Sequence, residues 1–305
     1  MTTLYLTHAD CRRHDMGRWH PECPERLDAI ADHLLAIGLR DVLIERDAPN
    51  VTPEQLARAH DPVYLAELQR RLPESGYAEM DPDTLMNPHS LEAASRAAGA
   101  AVAAVDAVLE GEADAAFCSV RPPGHHAERG RAMGFCLYNN VVVAALHALE
   151  HHGLRRIAVV DFDVHHGNGT EQMLAGDPRV LMCSFFQHPF YPYSGAGPHA
   201  PNMANLPVEA YADGAVIRPL VEQHWLPRLR GHRPELILIS AGFDAHRDDD
   251  MGQLGLVEDD YAWITRQLRV VAQEAGHDRI VSCLEGGYDL PSLARSVAAH
   301  VRELL

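Results

Sequence analysis

Several features that would settle a protein's class at once are missing from this sequence. Met1 to Asp10 has neither the basic start nor the apolar run of about 7–15 residues that export needs. No uncharged apolar stretch reaches the roughly 18 residues that would suggest a membrane span. The six cysteines (Cys11, Cys23, Cys118, Cys136, Cys183, Cys283) are scattered, with no CxxC pair. Several lie in apolar, strand-like runs, so they read as reduced core thiols rather than a disulfide framework or a cysteine–zinc site. The expected location is the cytoplasm, with no membrane partner. Positive charge is short too: the formal net charge is -17. That argues against direct binding of nucleic acid, which rests on Lys and Arg contacts with phosphate. An acidic balance fits a cationic partner through electrostatic steering. Simple solubility accounts for it without any partner.

What is present is 305 residues, 47% of them hydrophobic, ample chain to bury a large core. Thr3 to Thr7 reads as a first strand. Pro24 to Ile37 reads as a helix that opens with Pro and stops near Gly38, and Leu91 to Leu109 as an Ala-rich helix capped by Ser90 and stopped by Gly111. Apolar strand-like runs follow at Ala115 to Ser119, Ile157 to Val160, Val180 to Phe185, Leu236 to Ala241 and Ile280 to Leu284. Helical patterns stand between and after them at Leu137 to His151, Ala212 to Leu229, Glu258 to Ala275 and Leu290 to Val301. Continuous apolar strands alternating with helices predict an α/β domain, a mostly parallel sheet with helices on both faces. Repeats, low-complexity tracts and linkers are lacking, so residues 1–305 read as a single domain. The stretch Gln187 to Pro207 reads as a functional rim loop.

In open parallel sheets, sites form outside the carboxyl ends of the strands. Four strand ends here carry Asp, His and Tyr among glycines. They are Arg121-Pro122-Pro123-Gly124-His125-His126, Asp161-Phe162-Asp163-Val164-His165-His166-Gly167-Asn168-Gly169, Ala241-Gly242-Phe243-Asp244-Ala245-His246 and Glu285-Gly286-Gly287-Tyr288-Asp289. Packing alone predicts no such coincidence. Side chains at i and i+2 on an extended chain point the same way, which sets Asp161, Asp163 and His165 on one side. Asp163, His165 and Asp244 then offer two oxygens and one nitrogen, with positions left for water and substrate, as in catalytic zinc sites. Iron(II) or cobalt(II) suits the same donors.

These motifs resemble the histone deacetylase, acetylpolyamine amidohydrolase and acetoin-utilisation family, whose fold is related to arginase. The similarity runs from His20-Pro21-Glu22-Cys23-Pro24-Glu25-Arg26 to Glu285-Gly286-Gly287-Tyr288, and Asp163 to Thr170 resembles the class II branch. The resemblance implies zinc on Asp163, His165 and Asp244, with His125 and His126 beside the metal-bound water. Asp161 would orient His125. Asn168 would orient His126, where class I enzymes carry Asp; an amide accepts a weaker hydrogen bond, so His126 should be less basic. Tyr288 would bind the substrate carbonyl. Gly134 and Phe135 would form one wall of an acyl-lysine channel and Tyr191, where Phe is usual, the other, with Gly287 nearby. A structural potassium ion would use the Asp161 carboxylate, the Ser184 hydroxyl and main-chain oxygens of Asp163, His165 and Phe185.

The expected activity is therefore zinc-dependent hydrolysis of an acyl amide, with acetyl-lysine or an acetylated small amine as the substrate partner. Polyamine-selective relatives often carry an acidic gatekeeper, and spacing from Asp244 puts Met251 there. Asp81 and Asp83 fall in a plausible rim loop. Asp248 to Asp250 reads either as an attractor of cations or as a solvated charge run. His20 to Arg26 either shapes the rim or starts a helix. One alternative is a binding module that keeps the pocket without turnover. Another is an arginase-like dimanganese hydrolase, against which Ala245-His246 offers no closely spaced second Asp. Nothing in the sequence sets an oligomeric state.

Overall fold

The apolar runs become strands because each is covered on both faces. The computed structural model describes residues 2–305. Ten strands are found among them: β1 Thr3–Thr7, β2 Ile44–Asp47, β3 Ala78–Asp81, β4 Thr84–Met86, β5 Ala115–Cys118, β6 Ile157–Asp161, β7 Val180–Gln187, β8 Met203–Val208, β9 Leu236–Ala241 and β10 Ile280–Leu284. Eight of these form one parallel sheet in the order β2-β1-β5-β10-β9-β6-β7-β8, and β3 and β4 form a separate hairpin. Every residue of β5, β6, β7, β9 and β10 is buried. The expected α/β class is the observed one.

Helices cover the sheet: α1 Glu25–Ala36, α2 Pro53–Ala59, α3 Pro62–Arg71, α4 Ser90–Leu109, α5 Asn140–Glu150, α6 Asn168–Leu174, α7 Gly214–Leu220, α8 Leu226–His232, α9 Glu258–Glu274 and α10 Leu290–Glu303. The alanines of α4 allow close approach. A methyl group at Gly99 would lie 2.0 Å from the carbonyl oxygen of Pro49. No helix among the described residues is long and apolar enough to cross a membrane.

Register positions the site. Asp161 of β6 pairs with Ser184 of β7 and Ser240 of β9. Cys283 of β10 pairs with Ser240 and with Cys118 of β5. Strands β5, β10, β9 and β6 therefore end within one residue of each other, β7 runs on to Gln187, and the loops that follow share one rim.

Several elements depart from the bounds their sequence pattern predicts. The helix expected from Leu137 starts at Asn140, because the Asn139 side chain accepts from the Val142 N–H (3.0 Å) and caps it there. The helix expected over Ala212 to Leu229 starts at Gly214 under an Asp213 cap. It widens into a π-turn at Val221–Trp225 and continues to His232. Pro219 inside it removes a helical hydrogen bond, which a wider turn accommodates. Ser90 lies inside α4 rather than capping it. Strand β8 occupies the end of the expected Gln187 to Pro207 loop.

Candidate active site

Asp163 and His165 follow β6, and Asp244 follows β9. Local turns aim them. Asp161 accepts from the Asp163 N–H (3.1 Å), and Asp163 accepts from the His165 N–H (2.9 Å). The three side chains meet with donor atoms within 4.8 Å of one another, all buried. His165 Nδ1 lies 2.9 Å from Asp163 Oδ1 and 3.3 Å from Asp244 Oδ2. Among the described residues Asp244 Oδ2 makes no well-formed hydrogen bond. Two buried carboxylates sharing one imidazole are a donor set that fits a divalent ion. Burial, then the charge of Asp163, push the Asp244 carboxyl up to about 7. Burial opposes charge on His165, yet its hydrogen bond to Asp163 and its close approach to the Asp244 carboxylate push it up to about 10. Side-chain-free neighbours make room. A methyl group at Gly286 would lie 2.0 Å from Asp244 Oδ2, and one at Gly242 the same distance from Asp163 Oδ2.

The loop after β5 brings His125 and His126 beside this cluster, ring centroids 4.0 Å apart. Their environments differ. His125 Nδ1 is 3.0 Å from Asp161 Oδ2. Burial disfavours its charge, but Asp163 and Asp161 outweigh that and raise it well above the ordinary histidine value. His126 is pushed well below that value by burial, then by His125 and His165. His126 Nδ1 lies 2.8 Å from Asn168 Oδ1. Asn168 Nδ2 donates to Glu128 Oε1 (2.9 Å), which fixes the amide's orientation. Nδ1 of His126 must then carry the proton, leaving Nε2 as the free base.

The loop after β10 carries Tyr288 to the site, and groups the sequence reading did not assign hold it there. Asp249 accepts from the N–H groups of Tyr288 (2.6 Å) and Asp289 (3.0 Å). Arg26 Nε donates to the Gly287 carbonyl (2.6 Å), and its guanidinium sits 4.9 Å from the Tyr288 ring centroid. Glu285 is buried and accepts from the N–H groups of Gly124 (2.6 Å) and His125 (3.1 Å). Burial pushes its carboxyl up to about 7. The available signal was an acid directly after an apolar strand. Of Asp248 to Asp250, one residue turns inward to position backbone. The His20 to Arg26 stretch both starts α1 and braces the rim.

Above the cluster lies a slot of about 150 Å³, lined by Asp83, His126, Gly134, Phe135, His165, Phe190, Tyr191, Met251 and Tyr288. Phe135 meets Tyr288 edge-on (5.9 Å), and Tyr191 meets His126 edge-on (5.2 Å). Phe190, which the sequence reading passed over, stacks on His165 at 5.5 Å and 19°. Among the described residues the buried Tyr191 hydroxyl has no hydrogen-bond partner. Gly287 does not line the slot; a methyl there would meet Leu293 at 2.7 Å, and its φ of +120° shapes the turn behind Tyr288. Ser184 lies next to Asp161 by strand register, and its hydroxyl is 3.5 Å from the Phe185 carbonyl oxygen. A larger groove of about 600 Å³, lined in part by Leu56 and Leu72, lies away from these groups.

Fold and site together define an α/β protein with a buried candidate metal centre at the carboxyl ends of its strands, below an aromatic slot. The chain belongs to the histone deacetylase family: the histone deacetylase domain model matches residues 20–304. It is similar to the protein slr0245 of Synechocystis sp. (42% identity, covering 97% of each chain). It is also similar to the polyamine deacetylase HDAC10 of Homo sapiens (37% identity, all of this chain and 48% of that one). The crystal structure of the HDA15 HD domain superposes with a TM-score of 0.94 at 31% identity, covering 100% of this chain and 89% of that one. The chain thus spans nearly all of slr0245 but about half of HDAC10.

Proposed function

We propose that this protein hydrolyses an acyl amide, releasing a short acid from an amine, with zinc held by Asp163, His165 and Asp244. The observation that carries the reading is the buried Asp–His–Asp cluster at the floor of a slot whose walls include His126 and Tyr288. Zinc, when bound, polarises the acyl carbonyl and acidifies a water. His126, neutral and with Nε2 free, takes the water's proton and later delivers it to the leaving amine. His125, whose protonated form is favoured by Asp163 and then Asp161, supplies positive charge beside the reacting centre. Burial first, then Asp244, raise Tyr288 well above the usual phenol value. It therefore stays protonated and donates to the developing oxyanion. Asp161, Ser184 and main-chain oxygens of Asp163, His165 and Phe185 would hold a potassium ion.

The slot suits an acetyl group on a slender alkyl amine, as in acetyl-lysine or an acetylated polyamine. HDAC10 is named a polyamine deacetylase. Here Met251 lines the slot, while the carboxylate on its wall is Asp83. Asp83 is half-buried, and burial raises its carboxyl above the ordinary range. The decisive test of the chemistry is Asp244→Ala, assayed for zinc and for turnover of acetyl-lysine peptide, acetylputrescine and acetylspermidine. Loss of turnover and of about one equivalent of zinc per chain is expected. Normal zinc with normal turnover rejects the ligand set.

A further inference from the structure

A second group of metal-type donors lies at the far end of α5 from the slot. His147 and His151 stand one turn apart at its C-terminal end, and His152 follows directly. Residues at i and i+4 share a helix face. The rings of His147 and His151 stack at 4.7 Å and 17°, and His152 stands edge-on to His151 at 5.0 Å. One donor nitrogen from each falls within 4.8 Å of the others. On the neighbouring helix, Asp106 of α4 places Oδ1 2.6 Å from Nε2 of His147 and 2.7 Å from Nε2 of His152. His147 is buried, His152 half-buried and His151 exposed, so the group opens to solvent on one side.

We propose that His147, His151 and His152, with Asp106 as partner or fourth ligand, bind a divalent transition-metal ion. Three imidazoles and a carboxylate suit zinc, nickel or copper rather than magnesium or calcium. The donor set differs from that of the slot, being richer in nitrogen. The two sites are independent. Asn139 at the start of α5 reaches the His125 carbonyl (3.4 Å), and His151 lies 12 residues on, roughly 18 Å along the helix.

Two neighbours set the terms of binding. Arg58 Nη1 sits 3.1 Å from His147 Nδ1. Arginine can only donate, so without metal Nδ1 accepts, and Nε2 carries the proton given to Asp106. A metal on Nε2 requires the other tautomer, with the proton on Nδ1, and Arg58 must turn aside. Glu150, 3.5 Å from Arg58 Nε, gives it somewhere to go. A bound ion would tie α4 to the end of α5 and exchange freely with solvent metal.

The test uses the full chain. Zinc per chain is measured after equilibrium dialysis at micromolar free zinc, in wild type and in His151→Ala/His152→Ala. The double variant should hold about one equivalent less and keep wild-type turnover. Asp244→Ala should keep the surface equivalent, so failure of the slot reading and failure of this one are separable. Cobalt(II) should give a visible absorption band in Asp244→Ala that vanishes when His151 and His152 are also replaced. Asp106→Asn should weaken surface zinc about tenfold. Equal zinc content in wild type and the double variant, or no histidine-dependent cobalt band, overturns the proposal.

Discussion

At the scale of single residues, the arrangement separates tasks among similar groups by environment. Tyr288 is the sharpest case, because its backbone is fixed by Asp249 and Arg26 independently of its hydroxyl. Replacing it with Phe removes one donor and leaves the turn in place. Tyr288→Phe should lower kcat about 10²–10³-fold, the usual worth of one oxyanion donor, with zinc content unchanged. Steady-state kinetics with metal analysis checks this; full activity rejects the oxyanion role. Asn168 tunes its partner more gently. A carboxylate there would accept a charge-assisted hydrogen bond from His126 Nδ1 and favour the protonated ring. The base must be deprotonated to act, so a higher His126 pKa moves the acidic limb of the kcat/KM profile to higher pH. Asn168→Asp should shift that limb upward by about 1 unit. An unmoved limb would mean another group takes the proton.

At the scale of elements, the loops after the strands are held from behind by a buried charge network. Glu22 bonds Arg26 Nη1 at 3.0 Å and Arg121 Nη2 at 2.7 Å, and none of the three is exposed. Burial opposes ionisation of Glu22, but Arg121 and Arg26 hold its carboxyl down at about 2. Arg121 also donates to the carbonyls of Cys11 (2.9 Å) and His14 (3.0 Å), which joins the first loop to the one carrying His125. Glu22→Gln strips the one negative charge between two desolvated guanidinium groups. A loss of about 3–5 kcal/mol is expected from guanidinium unfolding curves. A loss below about 1 kcal/mol would show that the network is not held by this charge. The role of the His20 to Arg26 stretch could not be chosen from sequence because its partners are remote: Gly287 and Glu285 lie 261 and 259 residues from Arg26. Strand-end motifs, by contrast, were legible, since apolar runs mark the sheet and polar residues among glycines interrupt it. Short polar elements such as α2, α3 and the β3–β4 hairpin left no such contrast. Edge strand β2 is exposed at every residue and so lacks an apolar signal.

At the scale of the whole molecule, three histidines buried outside the slot make stability depend on pH. His300 on α10 is unexposed, hydrogen-bonded to the hydroxyls of Thr265 (2.6 Å) and Ser282 (2.8 Å), and ringed by Phe117, Phe162 and Phe243. Its place in the core was not legible from sequence, where a histidine near the end of an amphipathic helix reads as surface. Burial lowers it to about 3, and lowers His14 and His60 to about 4. In the unfolded chain each titrates near 6.5. Between about pH 6.5 and the folded values the unfolded state binds more protons, so stability falls as pH falls through this window. Each such histidine contributes about 1.4 kcal/mol per pH unit there. Zinc release in acid would add its own slope, so the clean comparison is with a variant that leaves the slot alone. His300→Gln keeps a neutral hydrogen-bonding group but cannot titrate. Its deficit against wild type, measured by urea unfolding, should shrink by about 2 kcal/mol between pH 7.5 and pH 5 as wild type alone loses the histidine contribution. A deficit that stays constant across that range would mean His300 is not held neutral in the folded core.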